Sequence, residues 1–533
     1  MSTSLGRDRL LAASATRRRF LTLTGASAAA ALSPWLLGIA SGSDGPATPR
    51  PSGYPFALGV ASGDPLPTAV VIWTRLVVDP LAPFGGMDYL RMPVEWQVAE
   101  DENFRRVVRS GSVQAVPEWA HSVHVDVTGL RPARQYFYRF RCGREVSPVG
   151  RTRTAPAANA SLDRFSFAFV SCQSWTSGYY TAYADLARYD YELVVHLGDY
   201  LYEYGARPEV ARQAELPTHL RYPTLGETWS LDQYRDQYAL FKADPDLQAA
   251  HAAAPWITTI DDHEVADNWA DEAAYDGEPW ETFLIRRANA FRAHWEHMPM
   301  RVPKPVGPDL PLYRRFTFGD LMELNILDTR QYRSPIVAQA SPEWQDPDRS
   351  ITGAEQEAWL LDGMGASTAR WNVIGQQNAI AQLDSRAGAG QTFGMDRWDG
   401  YPASRARVLG GIHERGVGNV ISIGGDLHRS IASDLALDAG DPGAPLVAAE
   451  FVGTSISSGG DGVDIDAAGQ RTLAENPHVK YVNVQRGYVG CTVTPDLWRS
   501  DYRVVEYITR PGAPASTRTS LVVEDGRPGI QAG

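Results

Sequence analysis

Leu193-Val194-Val195-His196-Leu197-Gly198-Asp199-Tyr200-Leu201-Tyr202 decides how this chain folds. Leu193 to Leu197 reads as a buried strand, and the run then breaks at a glycine into an acid and tyrosines. The same transition recurs along the chain. Phe165 to Val170 runs into Ser171-Cys172-Gln173, and Trp256 to Ile260 into Asp261-Asp262-His263-Glu264. Val420 to Ile423 runs into Gly424-Gly425-Asp426-Leu427-His428-Arg429, while Met322 to Leu327 and Trp371 to Gly375 read as further strands. Helical stretches lie between them. Leu284, Ala288, Phe291, Trp295 and Met298 step by four and three along one face of a helix that Pro299 ends, and Tyr179, Tyr183 and Leu186 do the same on a shorter one. Strands alternating with helices give an α/β (α+β) region over 157–533, in which ligand sites are expected just beyond strand ends.

Upstream the pattern is all β. Val94, Trp96 and Val98 alternate with polar residues, as do Val123, Val125 and Val127, the period-two mark of strands with one buried face. Leu130-Arg131-Pro132 followed by Tyr136-Phe137-Tyr138 resembles the tyrosine corner of fibronectin-type and immunoglobulin-type sandwiches. A small β-sandwich without catalytic residues is therefore expected over 55–156. Residues 1–54 read as an export signal and linker: Arg17-Arg18-Arg19-Phe20-Leu21 precedes a mild apolar stretch to Ala40, like a twin-arginine signal with Thr22 in place of the usual lysine. No later run is long and apolar enough to span a bilayer. A net charge of -13 argues against general attraction to nucleic acid, so no stable nucleic-acid complex is expected. With cysteine only at 142, 172 and 491, at least one thiol stays unpaired.

The strand-end clusters have the chemistry of cation ligands. Asp199 can bridge two cations with its two oxygens, and Tyr202, three residues on, can reach one as phenolate; hard ions such as Fe(III) favour such donors. Tyr200 and Tyr204 read as packing residues. Adjacent carboxylates at Asp261 and Asp262 beside His263 and Asn268 would repel one another in an ordinary loop, and a bound cation removes that cost. Asp426 and His428, two apart, are expected on one side of a strand end. Cys172 alone would read as a small core residue; its position after a buried strand favours a ligand.

The order and wording of these motifs resemble the PhoD family of alkaline phosphatases and phosphodiesterases: SCQ at 171–173, HLGDYLYEYG at 196–205, DDHEVADNW at 261–269, LDTRQYR at 327–333, WDGYPASR at 398–405 and GGDLHRS at 424–430. The resemblance implies a metallophosphoesterase-like sandwich of mixed sheets flanked by helices, Ca2+ with Fe3+ as cofactors, and loading before twin-arginine export to the periplasm or medium. It places Cys172, Asp199 and Tyr202 on iron, with Asp262, Asn268, Asp426 and His428 as further ligands. The cations would supply Lewis acidity for in-line attack of water on phosphorus, and His263 is the candidate for protonating or orienting the leaving oxygen. Asn268 and Arg429 are candidates for the phosphate oxygens. Substrate choice is expected from Ala206 to Ser230, Ser334 to Arg349 and Ser385 to Tyr401. The serious rival within the enzyme class is a phospholipase D-type phosphodiesterase; outside it, a non-catalytic surface-binding protein.

Overall fold

The computed structural model describes residues 49–204, 212 and 227–533. The export signal lies outside them, as does most of the Ala206 to Ser230 segment. Among the described residues a ten-stranded sheet runs from edge to edge as Arg527–Ala532, Ala515–Glu524, Leu497–Val505, Gly487–Val493, Phe165–Val170, Leu193–His196, Pro255–Thr258, Val60–Leu66, Ala69–Arg75 and Ser122–Thr128. A seven-stranded sheet lies against it in the order Arg314–Phe318, Met322–Ile326, Trp371–Gly375, Val420–Gly424, Leu446–Val452, Ser430–Ala436 and Val479–Asn483.

Side-chain alternation sorts the layers. Phe165, Phe167, Phe169, Leu193 and Val195 face a core shared with Met322, Leu324, Ile326, Val373, Ile421 and Ile423 of the second sheet. Their neighbours Ala168, Val170 and Val194 face outward onto Tyr234, Tyr238 and Phe291 of the helices Leu231–Lys242 and Trp280–His297. Beyond the second sheet, Ile374 and Val420 pack on Leu360, Val408 and Ile412 of the helices Ala354–Ala366 and Pro402–Glu414. The result is helix, sheet, sheet, helix. Truncating a ring such as Phe167 between the sheets is expected to cost about 3–5 kcal/mol.

The N-terminal β region is built partly into this frame. Val60–Leu66 pairs in parallel with Pro255–Thr258, Gly63 opposite Trp256. A Cβ at Gly63 would meet the Trp256 carbonyl oxygen at 2.5 Å, so glycine is what permits the approach. The separate sheet containing Met92–Ala99 and Gln135–Cys142 packs Val94, Val98, Tyr136 and Phe140 against Val70, Ile72, Val123 and Val125. The sandwich thus shares one sheet with the larger region. Its tyrosine corner forms as expected, the Tyr136 hydroxyl accepting from Arg131 N at 2.9 Å.

Two helical readings need correction. Tyr183 and Leu186 are buried on the helix Thr181–Leu186 as expected, but Tyr179 precedes it and Tyr180, at its start, is the residue buried in its stead. In Trp280–His297, Leu284 and Ala288 are only half-buried, while Phe283, Arg286, Arg287, Ala290, Phe291 and His294 face inward. Hydrophobic spacing places Phe291, Trp295 and Met298 correctly but misses the first half of the buried face, which is partly cationic. Arg286 donates to Glu227 and Tyr234, and Arg287 to the Asp271 and Pro308 carbonyls. No described helix is long and apolar enough to cross a membrane.

Candidate metal centre and active site

Phe165–Val170, Leu193–His196 and Pro255–Thr258 are parallel neighbours, so their following loops emerge on one edge. Val420–Gly424 and Leu446–Val452 are parallel in the facing sheet. The loops from both sheets touch: Ile456 N donates to the Ser171 carbonyl and Gln173 N to the Asp199 carbonyl. Gly198 (φ 118°) is required at the crossing, since a Cβ there would sit 2.5 Å from that of Asp261.

Cys172, Asp199 and His428 each place a ligand atom within 4.8 Å of the others, and so do Asp199, Asp262 and His263. Asp199 belongs to both groups. The Tyr202 hydroxyl donates to Asp199 Oδ2 at 3.2 Å, lies 3.2 Å from His428 Nε2 and accepts from Ser458 Oγ at 2.6 Å. Cys172 (φ 58°), Asp199 (57°), Asn268 (54°), Asp426 (61°) and His428 (51°) all have left-handed backbone. Such residues cost on the order of 1–3 kcal/mol each and persist where function over-determines them. That geometry corrects one expectation. Asp426 and His428 lie beyond the end of their strand, so period-two alternation does not place them. His428 joins Cys172 and Asp199, whereas Asp426 lines a cavity of about 520 Å³ together with Arg429.

The second loop is tied down by the protein itself. Asp262 accepts from His263 N at 3.1 Å and Asn268 N at 2.8 Å, and Asp261 accepts from Arg330 Nε at 2.6 Å. Burial opposes the charge on Asp262, but Arg330, His263 and the Asn268 amide outweigh it and hold its carboxyl well below the usual range. The Asn268 side chain donates to Asp267 at 3.1 Å. His263 places Nδ1 2.8 Å from Glu203 Oε2. Burial disfavours a charge on His263, yet Glu203, Asp262 and Asp199 together push its pKa well up. Glu264 accepts from the amides of Asp199, Tyr200 and Asp261, which stitches both loops together.

The first loop is not compensated. Asp199 Oδ1 is buried with no hydrogen-bond partner. Burial, reinforced by Asp262, Asp261 and Glu264, drives its carboxyl well above the usual range, and burial with Asp199 does the same to the Cys172 thiol. Burial, Asp396 and Asp262 hold Asp426 up at about 7. Carboxylate, thiol, phenol and imidazole around one orphaned oxygen fit a highly charged cation, which reverses each of these shifts. All three cysteines are free; Cys142 and Cys491 lie in apolar cores away from this group. Tyr200 packs in the core with its hydroxyl 2.8 Å from His251 Nε2.

The sequence reading missed Glu203, Glu264 and Arg330. Arg330 follows the strand Met322–Ile326 within Asp328-Thr329-Arg330, the same strand-to-polar transition seen at the other clusters, and that signal could have found it. It also pairs with Asp396 through both terminal nitrogens, at 2.9 and 3.1 Å.

Paired mixed sheets carrying such loops at their strand ends define the metallophosphoesterase-like class. The PhoD-like phosphatase family matches residues 167–502, and the N-terminal domain of PhoD-like phosphatases matches 32–156. Alkaline phosphatase D of Bacillus subtilis (strain 168) is 46% identical over 521 residues, covering 97% of this chain and 88% of its own length. A solved structure described as that of PhoD superposes with a TM-score of 0.86 at 47% identity, covering 91% of this chain and 93% of its own. The chain belongs to the PhoD-like phosphatase family and is a phosphoric ester hydrolase.

Proposed function

We propose that this protein is an exported, cation-dependent alkaline phosphatase or phosphodiesterase. The observation that carries the reading is Asp199, a buried carboxylate with one oxygen unpartnered, shared by two groups of potential ligands. Cys172, Asp199 and Tyr202 would hold Fe3+, with His428 beside them, and Asp199, Asp262 and Asp426 would contribute to Ca2+, with Asn268 as a further ligand candidate. Such cations supply Lewis acidity that draws charge from a phosphoryl group and makes water a better nucleophile near neutral pH. The protein's own part is positional. Glu264 fixes the two loops by three amides, and Glu203 holds His263 Nδ1, which leaves Nε2 to hand a proton to the leaving oxygen. Arg429, on the cavity wall beside Asp426, is placed to meet a phosphate oxygen.

Export by the twin-arginine route rests on Arg17 to Ala40 alone. Changing Arg17 and Arg18 to Lys should keep the protein in the cytoplasm; normal export of that variant would refute the route. The division at 156/157 is likewise a proposal, with 55–156 as a domain that depends on its neighbour for a sheet edge.

The enzymatic test compares p-nitrophenyl phosphate, bis-(p-nitrophenyl) phosphate and phosphatidylcholine vesicles, with Ca2+ and Fe3+ and after chelation. Hydrolysis of either p-nitrophenyl ester that chelation abolishes is expected. Faster turnover of the vesicles would favour the phospholipase D-type reading. No hydrolysis at full metal occupancy would leave the binding-protein reading standing.

A further inference from the structure

We infer that a second cavity, of about 170 Å³ between the N-terminal β region and the helix Leu231–Lys242, binds a small apolar carboxylate, an anionic head on a body the size of one aromatic ring. The site goes beyond the phosphoesterase reading and does not rest on it, since none of its lining residues belongs to either ligand group at Asp199. Arg75 points to the anion. It ends the strand Ala69–Arg75, is only 4% exposed and lines the cavity. Its Nε donates to the Ala120 carbonyl at 2.9 Å and its Nη1 to His297 Nε2 at 2.7 Å. Neither partner is an acid, and His297 is neutral because its Nδ1 hydrogen goes to the Ala293 carbonyl at 2.6 Å. Among the described residues no carboxylate forms an ion pair with Arg75, and its Nη2 has no acceptor. Glu296, the acid whose field acts on it most, is taken up by Arg235 at 2.6 Å and Arg292 at 3.1 Å. Burial pulls the guanidinium down to about 10, which leaves it a cation at neutral pH. A buried cation without a counter-ion is costly, and a carboxylate entering the cavity would supply one.

The rest of the wall selects the body. Leu81, Pro83, Phe84, Met87 and Tyr89, all from one loop, line the cavity together with Pro117. An apolar cavity of about 150 Å³ takes a benzene ring, so this one has room for a phenyl group. The loop is also held in an unusual way. Phe84 has left-handed backbone (φ 55°) ahead of Gly85 and Gly86, and the Gly85 carbonyl accepts from Val78 N at 2.8 Å and Asp79 N at 3.1 Å. That conformation is strained for a phenylalanine, and packing does not compensate, since Phe84 is 64% exposed. Tyr89 in the same loop is 66% exposed. Two large apolar side chains fixed in solvent at the rim of a cavity are explained by a ligand they would cover. Two acids also line it. Asp232 pairs with Arg235 at 3.3 Å, and Asp236 stands one turn further along the same helix. Their fields on Arg75 come after those of Glu296 and Arg235, so the sign at the guanidinium stays positive, and an ammonium is the rival ligand.

Calorimetric titration of the metal-loaded protein with 3-phenylpropionate, 3-phenylpropan-1-ol and 3-phenylpropylamine offers the cavity one skeleton with three heads. The carboxylate should bind about tenfold more tightly than the alcohol or the amine. Arg75→Met should remove that preference. Phe84→Gly, which suits the left-handed backbone, should weaken the carboxylate about fivefold while hydrolysis of p-nitrophenyl phosphate stays at the wild-type rate. If Arg75→Met does not fold, the three heads on the wild type and the Phe84→Gly variant decide the matter. Tightest binding of the amine would give the cavity to a cation through Asp232 and Asp236 and overturn the proposal. No binding, or equal binding of all three heads, overturns it as well. So does a carboxylate affinity that neither variant moves, which would place the probe on the cations of the metal centre.

Discussion

The loop around Asp262 and the loop around Asp199 bury the same kinds of acid but settle their charges differently. Asp262 has Arg330, a charged His263 and two amides facing it, which keep it ionised although burial drives Asp261 and Glu264 in the same loop up. Asp199 has one hydrogen bond from Tyr202, an orphaned oxygen, and a share of the same His263, which burial and the neighbouring carboxylates outweigh. A buried charge without a partner is costly, often by several kcal/mol. The comparison teaches that the protein satisfies Asp262 with its own groups and leaves Asp199 with an unmet oxygen, as the proposed cation requires.

The largest expected effect breaks the uncompensated side. Asp199→Ala should abolish hydrolysis and metal retention while raising the melting temperature of the metal-free protein, because it removes a buried carboxyl whose Oδ1 has no partner. Near-normal turnover with full iron and calcium would refute the assignment. His263→Ala comes next and tests whether this histidine moves a proton. Esters with alkyl leaving groups should slow by about a hundredfold to ten-thousandfold, p-nitrophenyl esters far less, and metal content should hold. Equal losses together with reduced metal would make His263 a ligand of the Asp199–Asp262 group instead, a role its distances also allow.

Arg330→Gln breaks the compensated side. It leaves Asp261 without its cation, and Asp262 and Asp396 with only His263 and Arg333, and should destabilise the protein by about 3–5 kcal/mol, with or without metals. Measured by denaturant unfolding, a loss confined to the metal-loaded form would mean that Arg330 serves the cations rather than the fold. The smallest effect is on pH. Cys172 and Asp426 have raised pKa values in the metal-free state, Asp426 at about 7, so they bind protons that a cation must displace. Affinity should therefore rise with pH, by about tenfold per unit for each proton released below its pKa. Competition titrations at pH 6 and pH 8 that give one affinity would contradict this.

The strands that carry the site were legible because both faces are buried: Phe165–Val170 and Trp371–Gly375 fall where the runs of apolar residues put them. The loops were legible as clusters because their acids stand where strands stop. Compensation was not legible. Nothing local says that Arg330 reaches across 69 positions to Asp261, or that Glu203 turns inward to His263 while Tyr204 beside it is only half-buried. Those pairings are tertiary choices. The inward face of Trp280–His297 was misread for the same reason, since paired arginines inside a protein look like surface residues in a helical wheel.

The pairing of Gly487–Val493 with Phe165–Val170 sets the timing of assembly during synthesis. Until residues near 490 have left the ribosome, the central strand has an open edge, and the segment at Ile456 and Ser458 that grips the Cys172 loop has nowhere to dock. Pairings over such separations are slow to form. The Cys172 loop therefore receives its last supports, from Ser458 and the Gly487–Val493 strand, only near the end of synthesis.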